Sequence, residues 1–485
     1  MRVVLKPRKR VSRLSGPLCL LSQIQSNPYR QLGKESRVAR VTSWLLNAVY
    51  LAIIAIASPL IVWQSLRTGK YRNGFREKLL GLVPRREGNA TCVWLHAVSV
   101  GEVNLIAILL RELRAAHPEW QFVVSTTSRT GYELAKKKYA DLMVFYCPLD
   151  FSWAVKNAMR RVRPTLLILA ELELWPNLVR AAKDFGARVV IANGRMSDHS
   201  FPGYRRIRPF VASVLRQIDL VAAQNEESAQ RFRALGAADD RVVVTGSLKY
   251  DGAQTDRDNP RTQSLRELAG ISDGDIVFLV GSTQEPEEQY AIDIFRRLVP
   301  QHPRLRLIIV PRHPERFDAV AKLLDASNIP WQRRTRLERL AAGGSLALDP
   351  SHPAILLVDS IGELGAWWGT AQIAFVGGSF GDRGGQNMIE PAAYGAAVSF
   401  GPNTRNFRDI VAALLAVDAA VVVHSEADLE SFVRRCLEQP SYVDALGSRA
   451  QNLVRSQLGA TSRTVSLIEN LLAESKSRTA NRSAA

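Results

Sequence analysis

Cysteine is scarce in this 485-residue chain. Its four cysteines are Cys19, Cys92, Cys147 and Cys436, and no two of them form a C-x-x-C pair. A disulfide framework or a cysteine zinc site needs more cysteines or closer spacing, so the sequence predicts structural thiols in a reducing compartment. Aromatic residues are also few, at 7% of the chain, but 46% of it is hydrophobic. That share is enough for large cores and excludes a disordered or collagen-like chain.

Three signatures of common nucleotide and metal sites are missing. The chain contains no G-x-G-x-x-G dinucleotide fingerprint and no G-x-x-x-x-G-K-[ST] phosphate loop, and no D-x-D metal pair follows a predicted strand. A Rossmann oxidoreductase is therefore disfavoured. We expect neither a cofactor nor a metal ion.

The excess of positive charge is confined to two short segments. The chain has 64 Lys and Arg against 46 Asp and Glu, a net charge of +18. Residues 1–40 hold ten basic residues and one Glu, and residues 67–87 hold seven basic residues and two Glu, which leaves only +4 for the rest. Nucleic-acid binding needs basic patches interleaved with aromatic residues on a folded surface, so this distribution disfavours a nucleic-acid partner.

An uncharged run of 26 residues, 41–66, separates the two basic segments. A helix of about 20 apolar residues crosses a bilayer, and Trp44 and Trp63 lie near the ends of the run, where aromatic rings favour the headgroup region. Asn47 and Pro59 weaken a full span, so an interfacial helix is an alternative; a signal peptide is another, but no small-residue cleavage site follows. The sequence predicts a retained membrane anchor after a basic extension. Because both flanks are basic, the orientation of the anchor stays open.

Downstream of the run, short β-branched segments alternate with helix-length amphipathic ones. Buried strands separated by helices are typical of a parallel sheet covered on both faces. The predicted strands are 91–95, 122–126, 143–146, 165–169, 189–192, 220–223 and 242–245, then 276–280, 305–310, 355–358, 373–376, 397–400 and 420–423. A polar segment without strands, D-G-A-Q-T-D-R-D-N-P-R-T-Q, divides the two sets.

This pattern predicts an α/β fold with two doubly wound, Rossmann-like domains that face a cleft, preceded by the anchor helix. The predicted segments are an extension at 1–40, an anchor at 41–66, an N-terminal acceptor domain at 67–250, a linker at 251–270, a C-terminal nucleotide-sugar domain at 271–450, a C-terminal helix at 451–474 and a disordered tail at 475–485. Ligands of such sheets bind beyond the carboxyl ends of the strands.

The first predicted strand runs into the motif H-A-V-S-V-G-E. Ser99 and Gly101 begin the helix that follows, and Glu102 lies in its first turn. Glu102 is either a helix cap or a general base that faces the cleft. Because a Glu with a pKa near ~4.3 is a weak base at neutral pH, the motif by itself favours the cap.

Other polar residues follow later strands of the first half. Glu171 and Glu173 end an apolar strand, and an extended chain would point them in opposite directions, so one could face the cleft while the other holds structure. Asn193 and Arg195 follow the next strand, and Lys249 follows the last one. Arg195 and Lys249 are placed to meet an anionic substrate or leaving group; the alternative for each is a surface cation.

The second half repeats this arrangement. Gly378 and Ser379 lie in a glycine turn after a strand, which suits close backbone approach to a phosphate. Asn387 and Glu390 begin a helix, and Glu390 is a candidate partner for ribose hydroxyls. Loop packing and capping are the alternative roles. Each motif alone is weak, but their convergence on one cleft favours a binding site.

Seven motifs together give the chain a family resemblance that extends to about Leu472. They are H-A-V-S-V-G-E, E-L-E-L-W-P-N, A-A-Q-N-E-E, T-G-S-L-K-Y-D, P-R-H-P-E-R, I-G-E-L and G-G-Q-N-M-I-E-P-A-A. With them the chain resembles the 3-deoxy-D-manno-octulosonate (Kdo) transferases of lipid A biosynthesis, which have the GT-B architecture. The resemblance implies metal-independent, inverting transfer of Kdo from CMP-Kdo to the lipid A precursor lipid IVA. It also implies an inner-membrane location with the catalytic domains on the cytoplasmic face.

The resemblance further implies residue roles. Glu102 matches the general base, and Glu171 and Lys249 match positions assigned to transition-state stabilisation. The matching CMP-binding residues are Pro311, Arg312, Ile361, Gly362, Glu363, Asn387, Met388, Ile389 and Glu390. Around these, the sequence predicts substrate contacts from Ser99, Gly101, Glu173, Asn193 and Arg195, and nucleotide contacts from Ser282, Thr283, Gly378 and Ser379.

The chain departs from the family pattern at two histidines. Gln284 stands where the pattern has His after G-S-T, and Gln386 stands where it has His in G-G-H-N. Glutamine forms hydrogen bonds but carries no proton at neutral pH. Two alternatives therefore stay open, namely another GT-B glycosyltransferase with a different nucleotide sugar and an inactive paralogue that acts as a lipid-binding protein.

Overall fold

The computed structural model describes residues 37–68, 74–342 and 354–483. The predicted basic extension therefore lies almost entirely outside the described residues. The helices are α1 (Arg37–Thr68), α2 (Phe75–Leu80), α3 (Val100–Ala116), α4 (Arg129–Lys138), α5 (Ser152–Val162), α6 (Pro176–Phe185), α7 (Phe201–Arg206), α8 (Arg208–Leu215), α9 (Glu226–Leu235), α10 (Pro260–Leu268), α11 (Glu287–Leu298), α12 (Phe317–Ser327), α13 (Arg334–Ala342), α14 (Leu364–Trp367), α15 (Ile389–Ala393), α16 (Arg408–Ala416), α17 (Glu426–Glu438), α18 (Pro440–Gln457) and α19 (Ala460–Ser483). The strands are β1 (Cys92–His96), β2 (Gln121–Thr126), β3 (Met143–Tyr146), β4 (Leu166–Ala170), β5 (Arg188–Gly194), β6 (Leu220–Ala223), β7 (Val242–Val244), β8 (Ile276–Thr283), β9 (Leu305–Pro311), β10 (Trp331–Arg333), β11 (Ile355–Leu357), β12 (Ile373–Val376), β13 (Ala397–Phe400) and β14 (Ala420–Val422).

The first seven strands form one parallel sheet in the order β3-β2-β1-β4-β5-β6-β7. Helices cover both faces, and each face has its own apolar cluster. Strands buried on both faces must be apolar at successive positions, which is why they were visible in the sequence as continuous hydrophobic runs. The strand order reverses between β1 and β4, and this reversal opens a crevice at the carboxyl ends of those two strands.

The second sheet repeats this design in the order β10-β11-β9-β8-β12-β13-β14, with its reversal between β8 and β12. The two parallel seven-stranded sheets confirm the predicted α/β fold. Strand β10 was not predicted. It is a three-residue edge strand, Trp331–Arg333, whose residues are all half-buried, so the sequence shows no apolar run there.

Helix α10 occupies the second half of the segment predicted as a linker at 251–270. The side chain of Asn259 accepts a hydrogen bond from the Thr262 N–H, and Pro260 stands at the first helical position. Both features start helices. The connection between the sheets is therefore shorter than the polar composition suggested.

The C-terminal helix returns to the first sheet. Helix α19 packs against α3, and Ala460 and Ile468 lie in the same apolar cluster as β1. Asp251 holds the start of α19, because its carboxylate accepts the N–H groups of Gly459 (2.6 Å) and Thr461 (2.5 Å). The two sheets are thus joined through the linker and again through α19.

Two details of the predicted C-terminus differ from the structure. The segment predicted as one helix at 451–474 contains a break at Leu458 and Gly459, where Gly459 adopts a φ of +87°. The backbone is helical to Ser483, where the composition predicts a disordered tail from Ser475. Ser, Lys, Arg and Ala extend an existing helix readily, because propagation costs far less than nucleation.

The described cysteines are buried and unpaired. They are Cys92, Cys147 and Cys436, and burial raises the pKa of the Cys92 thiol to about 11 and that of Cys436 to about 12. Such thiols stay protonated and unreactive at neutral pH. Cys19 lies outside the described residues.

Candidate active site

Glu102 lies in the first turn of α3, at the crevice between β1 and β4. Ser99 is the N-cap of that helix, and its Oγ accepts the Glu102 N–H at 3.4 Å. In return, the Glu102 carboxylate accepts the Ser99 hydroxyl at 2.9 Å and the Val98 N–H at 2.7 Å. These reciprocal bonds resemble a capping box, except that Glu102 accepts the N–H of Val98 and not that of the N-cap residue Ser99. Glu102 therefore helps to cap α3, the role that the motif alone favours.

The surroundings of Glu102 also suit proton transfer. Burial raises the pKa of its carboxyl, the Val98 and Ser99 hydrogen bonds lower it, and the nearby carboxylates of Glu173 and Glu171 raise it further, to about 7. General bases are most effective when their pKa lies near the working pH. The weak base expected from an ordinary Glu is thus made stronger by this environment, and capping and catalysis are compatible roles.

Glu171 and Glu173 do not point apart as an extended strand would place them. Strand β4 ends at Ala170, and Glu171 adopts a left-handed φ of +53°. This residue breaks the alternation of the strand, and both carboxylates then act electrostatically on Glu102. Glu173 also accepts the indole N–H of Trp175 at 2.9 Å. Glu171 instead pairs with Lys249, and the division of roles between the two acids stays a prediction.

Lys249 reaches the same group of carboxylates. Its Nζ lies 3.4 Å from Oε1 of Glu171. Asn193, predicted to bind substrate, is instead fully buried, and its side-chain oxygen accepts the Leu248 N–H at 2.9 Å. Asn193 therefore positions the loop that carries Lys249, which corrects its predicted role.

Arg195 connects the two halves of the molecule. Its guanidinium donates to Oδ1 of Asp409 in α16 at 2.7 Å. Arg195 follows β5 and α16 follows β13, so the carboxyl edges of the two sheets meet at this point. Arg195 thus makes a contact between domains that the sequence did not show, and its contact with an anionic substrate stays a prediction. Because the pair is largely exposed, it contributes only about 0.2–1 kcal/mol.

A buried carboxylate fills the second crevice, between β8 and β12. The Glu287 carboxylate accepts four backbone N–H groups, those of Gln284 (2.9 Å), Gly378 (2.8 Å), Ser379 (3.0 Å) and Phe380 (3.2 Å). The prediction that the Gly378 and Ser379 turn offers its N–H groups to a phosphate is therefore wrong, because Glu287 already occupies them. Nothing in the sequence distinguishes Glu287 from any other acid in the first turn of a helix, so this contact was not predictable.

Four of the predicted nucleotide-binding residues belong to the second core. Ser282, Thr283, Met388 and Ile389 are each at most 5% exposed. Their side chains cannot reach a ligand in the cleft, so any contact from these residues must come from the backbone. Pro311, which ends β9, is buried as well.

A second polar cluster of this half contains Asn387, Glu390 and Arg312. Asn387 Nδ2 donates to Oε1 of Glu390 at 3.0 Å. Burial raises the pKa of the Glu390 carboxyl, whereas the Asn387 hydrogen bond and the charge of Arg312 lower it. The Arg312 side chain is exposed. The structure thus brings together three residues that are up to 78 positions apart in the sequence.

The segment I-G-E-L borders this cluster. A Cβ at Gly365 would stand 3.8 Å from Oε2 of Glu390. Ile361 is 66% exposed, and Gly362 adopts a φ of +89° with open space beside it. Glu363 is tied down, because Arg334 donates to its carboxylate at 2.7 Å. Ile361 and Gly362 are therefore free to touch a ligand, while Glu363 holds the segment in place.

The two glutamines that depart from the family pattern are neighbours. The point where a Cβ would stand at Gly378 lies 3.3 Å from Nε2 of Gln386 and 3.7 Å from Nε2 of Gln284. The two substitutions therefore change one place in the cleft. Within the described ranges, no group of three or more His, Cys, Asp or Glu side chains is arranged to hold a metal ion.

Comparisons with known proteins identify relatives of the chain. A family described as 3-Deoxy-D-manno-octulosonic-acid transferase (kdotransferase) matches residues 73–252. The chain is 33% identical to a 3-deoxy-D-manno-octulosonic acid transferase of Haemophilus influenzae over 87% of this chain and 98% of that protein. A transferase of the same name from Bordetella pertussis is 31% identical over 79% and 88%. The UDP-GlcNAc 2-epimerase of Neisseria meningitidis, solved with UDP-GlcNAc, is 12% identical, covers 79% of this chain and all of that one, and has a TM-score of 0.51, which supports the fold alone.

Proposed function

The chain belongs to the 3-deoxy-D-manno-octulosonic acid (Kdo) transferase family and is a glycosyltransferase, and from this membership we propose that it transfers Kdo from CMP-Kdo to a hydroxyl of the lipid A precursor lipid IVA. The observation that carries the proposal is the position of Glu102 in the crevice between β1 and β4, near Glu171 and its partner Lys249, where burial raises the pKa of Glu102 to about 7. Mass spectrometry of lipid IVA incubated with CMP-Kdo and the purified chain tests it.

Glu102 is the proposed general base. The acceptor hydroxyl gives its proton to the Glu102 carboxylate while its oxygen bonds to the anomeric carbon of Kdo, and the bond from that carbon to the phosphate oxygen breaks. CMP leaves with the electron pair, and Glu102 later releases the proton to solvent. Attack from the face opposite CMP gives inversion. One carboxylate oxygen must exchange the Ser99 hydroxyl for the acceptor hydroxyl, and a hydroxyl rotates readily enough to permit this.

Lys249 and Glu171 are the proposed stabilisers of the transition state. The Lys249 ammonium is held 3.4 Å from Glu171, at the edge of the crevice that contains Glu102. A cation fixed before the reaction stabilises negative charge that develops on the leaving phosphate without further reorganisation. In this proposal Glu171 keeps the ammonium in place, and Asn193 holds the loop that bears it.

The cluster of Arg312, Asn387 and Glu390 in the second half is the proposed donor site. Arg312 supplies a guanidinium for the CMP phosphate, and Glu390 with Asn387 suits the ribose hydroxyls, which both donate and accept hydrogen bonds. The segment that holds Ile361 and Gly362 leads into Gly365, which lies beside Glu390. Membrane attachment through α1, at the cytoplasmic face of the inner membrane, would bring this site close to a lipid acceptor.

Arg312→Ala is expected to weaken CMP binding by about 10- to 100-fold, since a hydrogen bond to a charged group contributes about 1.5–3 kcal/mol. Calorimetric titration with CMP measures the change, and Arg296→Ala on the exposed side of α11 is the matched control. Affinity for lipid vesicles should be unchanged. Equal losses for CMP and for lipid would contradict the nucleotide role of Arg312.

The paired glutamines favour one second candidate, a transferase that uses another nucleotide sugar. Gln284 and Gln386 lie together where the family pattern has two histidines, so the donor site differs there in its ability to carry a proton. A donor panel distinguishes the candidates. We expect release of CMP from CMP-Kdo and no release of UDP from UDP-sugars, and the opposite result would support the second candidate.

A further inference from the structure

Helix α1 is attached to the first domain through its own polar side chains. Asn47, only 4% exposed, donates from Nδ2 to Oγ of Ser152 at 2.8 Å and accepts the Ser152 N–H at 3.0 Å. Three residues later, the Tyr50 hydroxyl donates to the buried Asp150 carboxylate at 3.2 Å. These bonds anchor the N-terminal part of α1 at the start of α5. A helix surrounded by lipid alone would have no such partners.

The two sides of α1 differ in chemistry. Ser43, which accepts a hydrogen bond from Arg180 at 2.5 Å, shares a helix face with Asn47 and Tyr50, because the three follow the spacing i, i+4, i+7. The opposite face is an apolar stripe whose members are each more than half exposed: Leu45, Val49, Ile53, Ile56, Leu60 and Trp63. We call these six residues the outer stripe. Trp44 and Leu51 are also more than half exposed, so most of the helix surface is apolar, and the side that carries Ser43, Asn47 and Tyr50 is the one that contacts the domain.

The chain returns to the same surface soon after α1 ends. The backbone carbonyl of Lys78 in α2 accepts the Leu149 N–H at 2.8 Å, and Gly81 at the end of α2 packs closely against the backbone of Ala154. Asn47 in the N-terminal part of α1 is bound at Ser152, so the chain is attached to residues 149–154 both there and again in α2. The chain between Asn47 and α2 therefore begins and ends at the same surface of the first domain.

The reach of the chain limits what α1 can do. From Asn47 to Thr68 the helix extends about 31 Å at 1.5 Å per residue. From Thr68 back to Gly74 six residues span at most about 21 Å. The hydrocarbon core of a bilayer is about 30 Å thick. Suppose that α1 crossed the bilayer with Asn47 still bound to the domain. Thr68 would then lie on the far side, and the six residues to Gly74 would be too short to return. Gly74 would stay inside the hydrocarbon, away from the domain that contains α2.

The reverse crossing fails for another reason. If the C-terminal end of α1 stayed at the domain and its N-terminal end crossed the bilayer, the bonds of Asn47 and Tyr50 to the domain would break. Their polar groups would then be left in hydrocarbon, at a cost of several kcal/mol for each unsatisfied group. Both crossings are therefore inconsistent with the observed contacts.

We propose that α1 lies flat in the membrane interface, with its polar face on the domain and the outer stripe in the acyl chains of one leaflet. The inference rests on the proposed membrane attachment and specifies its geometry. The basic residues within 67–87 favour a leaflet with anionic lipid. Asp150 follows β3 at the carboxyl edge of the first sheet, the edge that also contains Glu102. The flat helix therefore holds the active-site edge beside the bilayer surface, where an acylated acceptor presents its sugar.

Single-cysteine labelling tests this arrangement. In a Cys19→Ser background, whose described cysteines are buried, Trp44→Cys and Arg67→Cys mark the two ends of α1, and Asp273→Cys marks the fully exposed surface of the second domain. The full chain is bound to sealed vesicles of phosphatidylcholine and phosphatidylglycerol, and a maleimide that cannot cross membranes is added outside. We expect all three cysteines to react without permeabilisation.

The other outcomes are decisive as well. If one end of α1 reacts only after permeabilisation, the helix spans and the flat arrangement is wrong, although membrane attachment stands. If the chain fails to float with the vesicles, both the attachment and its geometry are wrong. Flotation of Ile56→Glu gives a second readout. We expect this change in the outer stripe to lower vesicle binding by about 10-fold or more, while Val417→Glu, at an exposed apolar residue of the second domain, leaves it unchanged.

Discussion

Glu102→Gln is expected to lower Kdo transfer by about 10²- to 10⁴-fold, the usual contribution of a general base. Glutamine has the shape of Glu102, and its oxygen can still accept the Val98 N–H, but it cannot take the proton of the acceptor hydroxyl. CMP binding should be unchanged, because Glu102 lies in the first domain and the proposed donor site in the second. Glu133→Gln on the exposed surface of α4 is the matched control.

The pH dependence of the wild-type chain gives a second readout of the same residue. A general base works in its deprotonated form, and the pKa of Glu102 is about 7. Turnover should therefore rise as the pH passes through about 7 and become level above it, and Glu102→Gln should lose this dependence. A profile already level at pH 5.5 would indicate that Glu102 titrates as an ordinary carboxyl.

The stability of Glu102→Gln should move in the opposite direction from its activity. Because the folded state raises the pKa of Glu102, the fold favours the protonated carboxyl, and this contribution to stability is lost as the pH rises through about 7. The amide of Glu102→Gln does not ionise, so the variant does not lose stability in this way. At pH 8 the variant should unfold at the same temperature as the wild type or at a higher one, which separates loss of chemistry from loss of fold.

Glu287→Ala is expected to be strongly destabilising. It removes the acceptor for four backbone N–H groups, and each unsatisfied buried donor costs about 1–3 kcal/mol. A total of at least about 4 kcal/mol would lower the unfolding temperature of a domain of this size by about 8–16 °C. CMP binding should be lost with it, because Gln284 and the turn that begins at Gly378 border the proposed donor site. Calorimetry with and without CMP measures both effects.

Two further variants keep this prediction testable. Glu315→Ala, at an exposed acid beyond β9, should leave the unfolding temperature unchanged. Glu287→Gln retains one acceptor oxygen but turns an amide donor toward N–H donors. Its unfolding temperature should therefore lie between that of the wild type and that of Glu287→Ala. If Glu287→Ala unfolded at the wild-type temperature, the internal carboxylate would not be what holds the turn.

The strands were predictable because most of them are buried on both faces. A strand such as Leu166–Ala170 must be apolar at every position, and such a run is visible without any knowledge of its neighbours. The edge strand Trp331–Arg333 is half-buried and so lacked this signal. The helical residues beyond Ser475 were missed for a different reason: polar composition suggests disorder, although the helix that precedes them can propagate through it.

The sequence predicted which residues lie in the active site better than it predicted what each of them does there. Glu102 was visible at a strand end, but its raised pKa depends on burial and on Glu173, which lies 71 residues away. Glu287 and Gly378 are 91 residues apart, and Arg195 and Asp409 are 214 apart. Pairings at such distances leave no periodic pattern in one sequence. For that reason the turn at Gly378 was interpreted as a phosphate site and Arg195 as a substrate contact.

The most direct test of the account is mass spectrometry of lipid IVA after incubation with CMP-Kdo and either the wild-type chain or Glu102→Gln. We predict that the wild type converts lipid IVA to Kdo-bearing product with release of CMP, and that the variant, folded and able to bind CMP, gives almost none. Equal product from both chains would remove Glu102 from the chemistry, and the absence of a Kdo adduct with the wild type would contradict the proposed reaction itself.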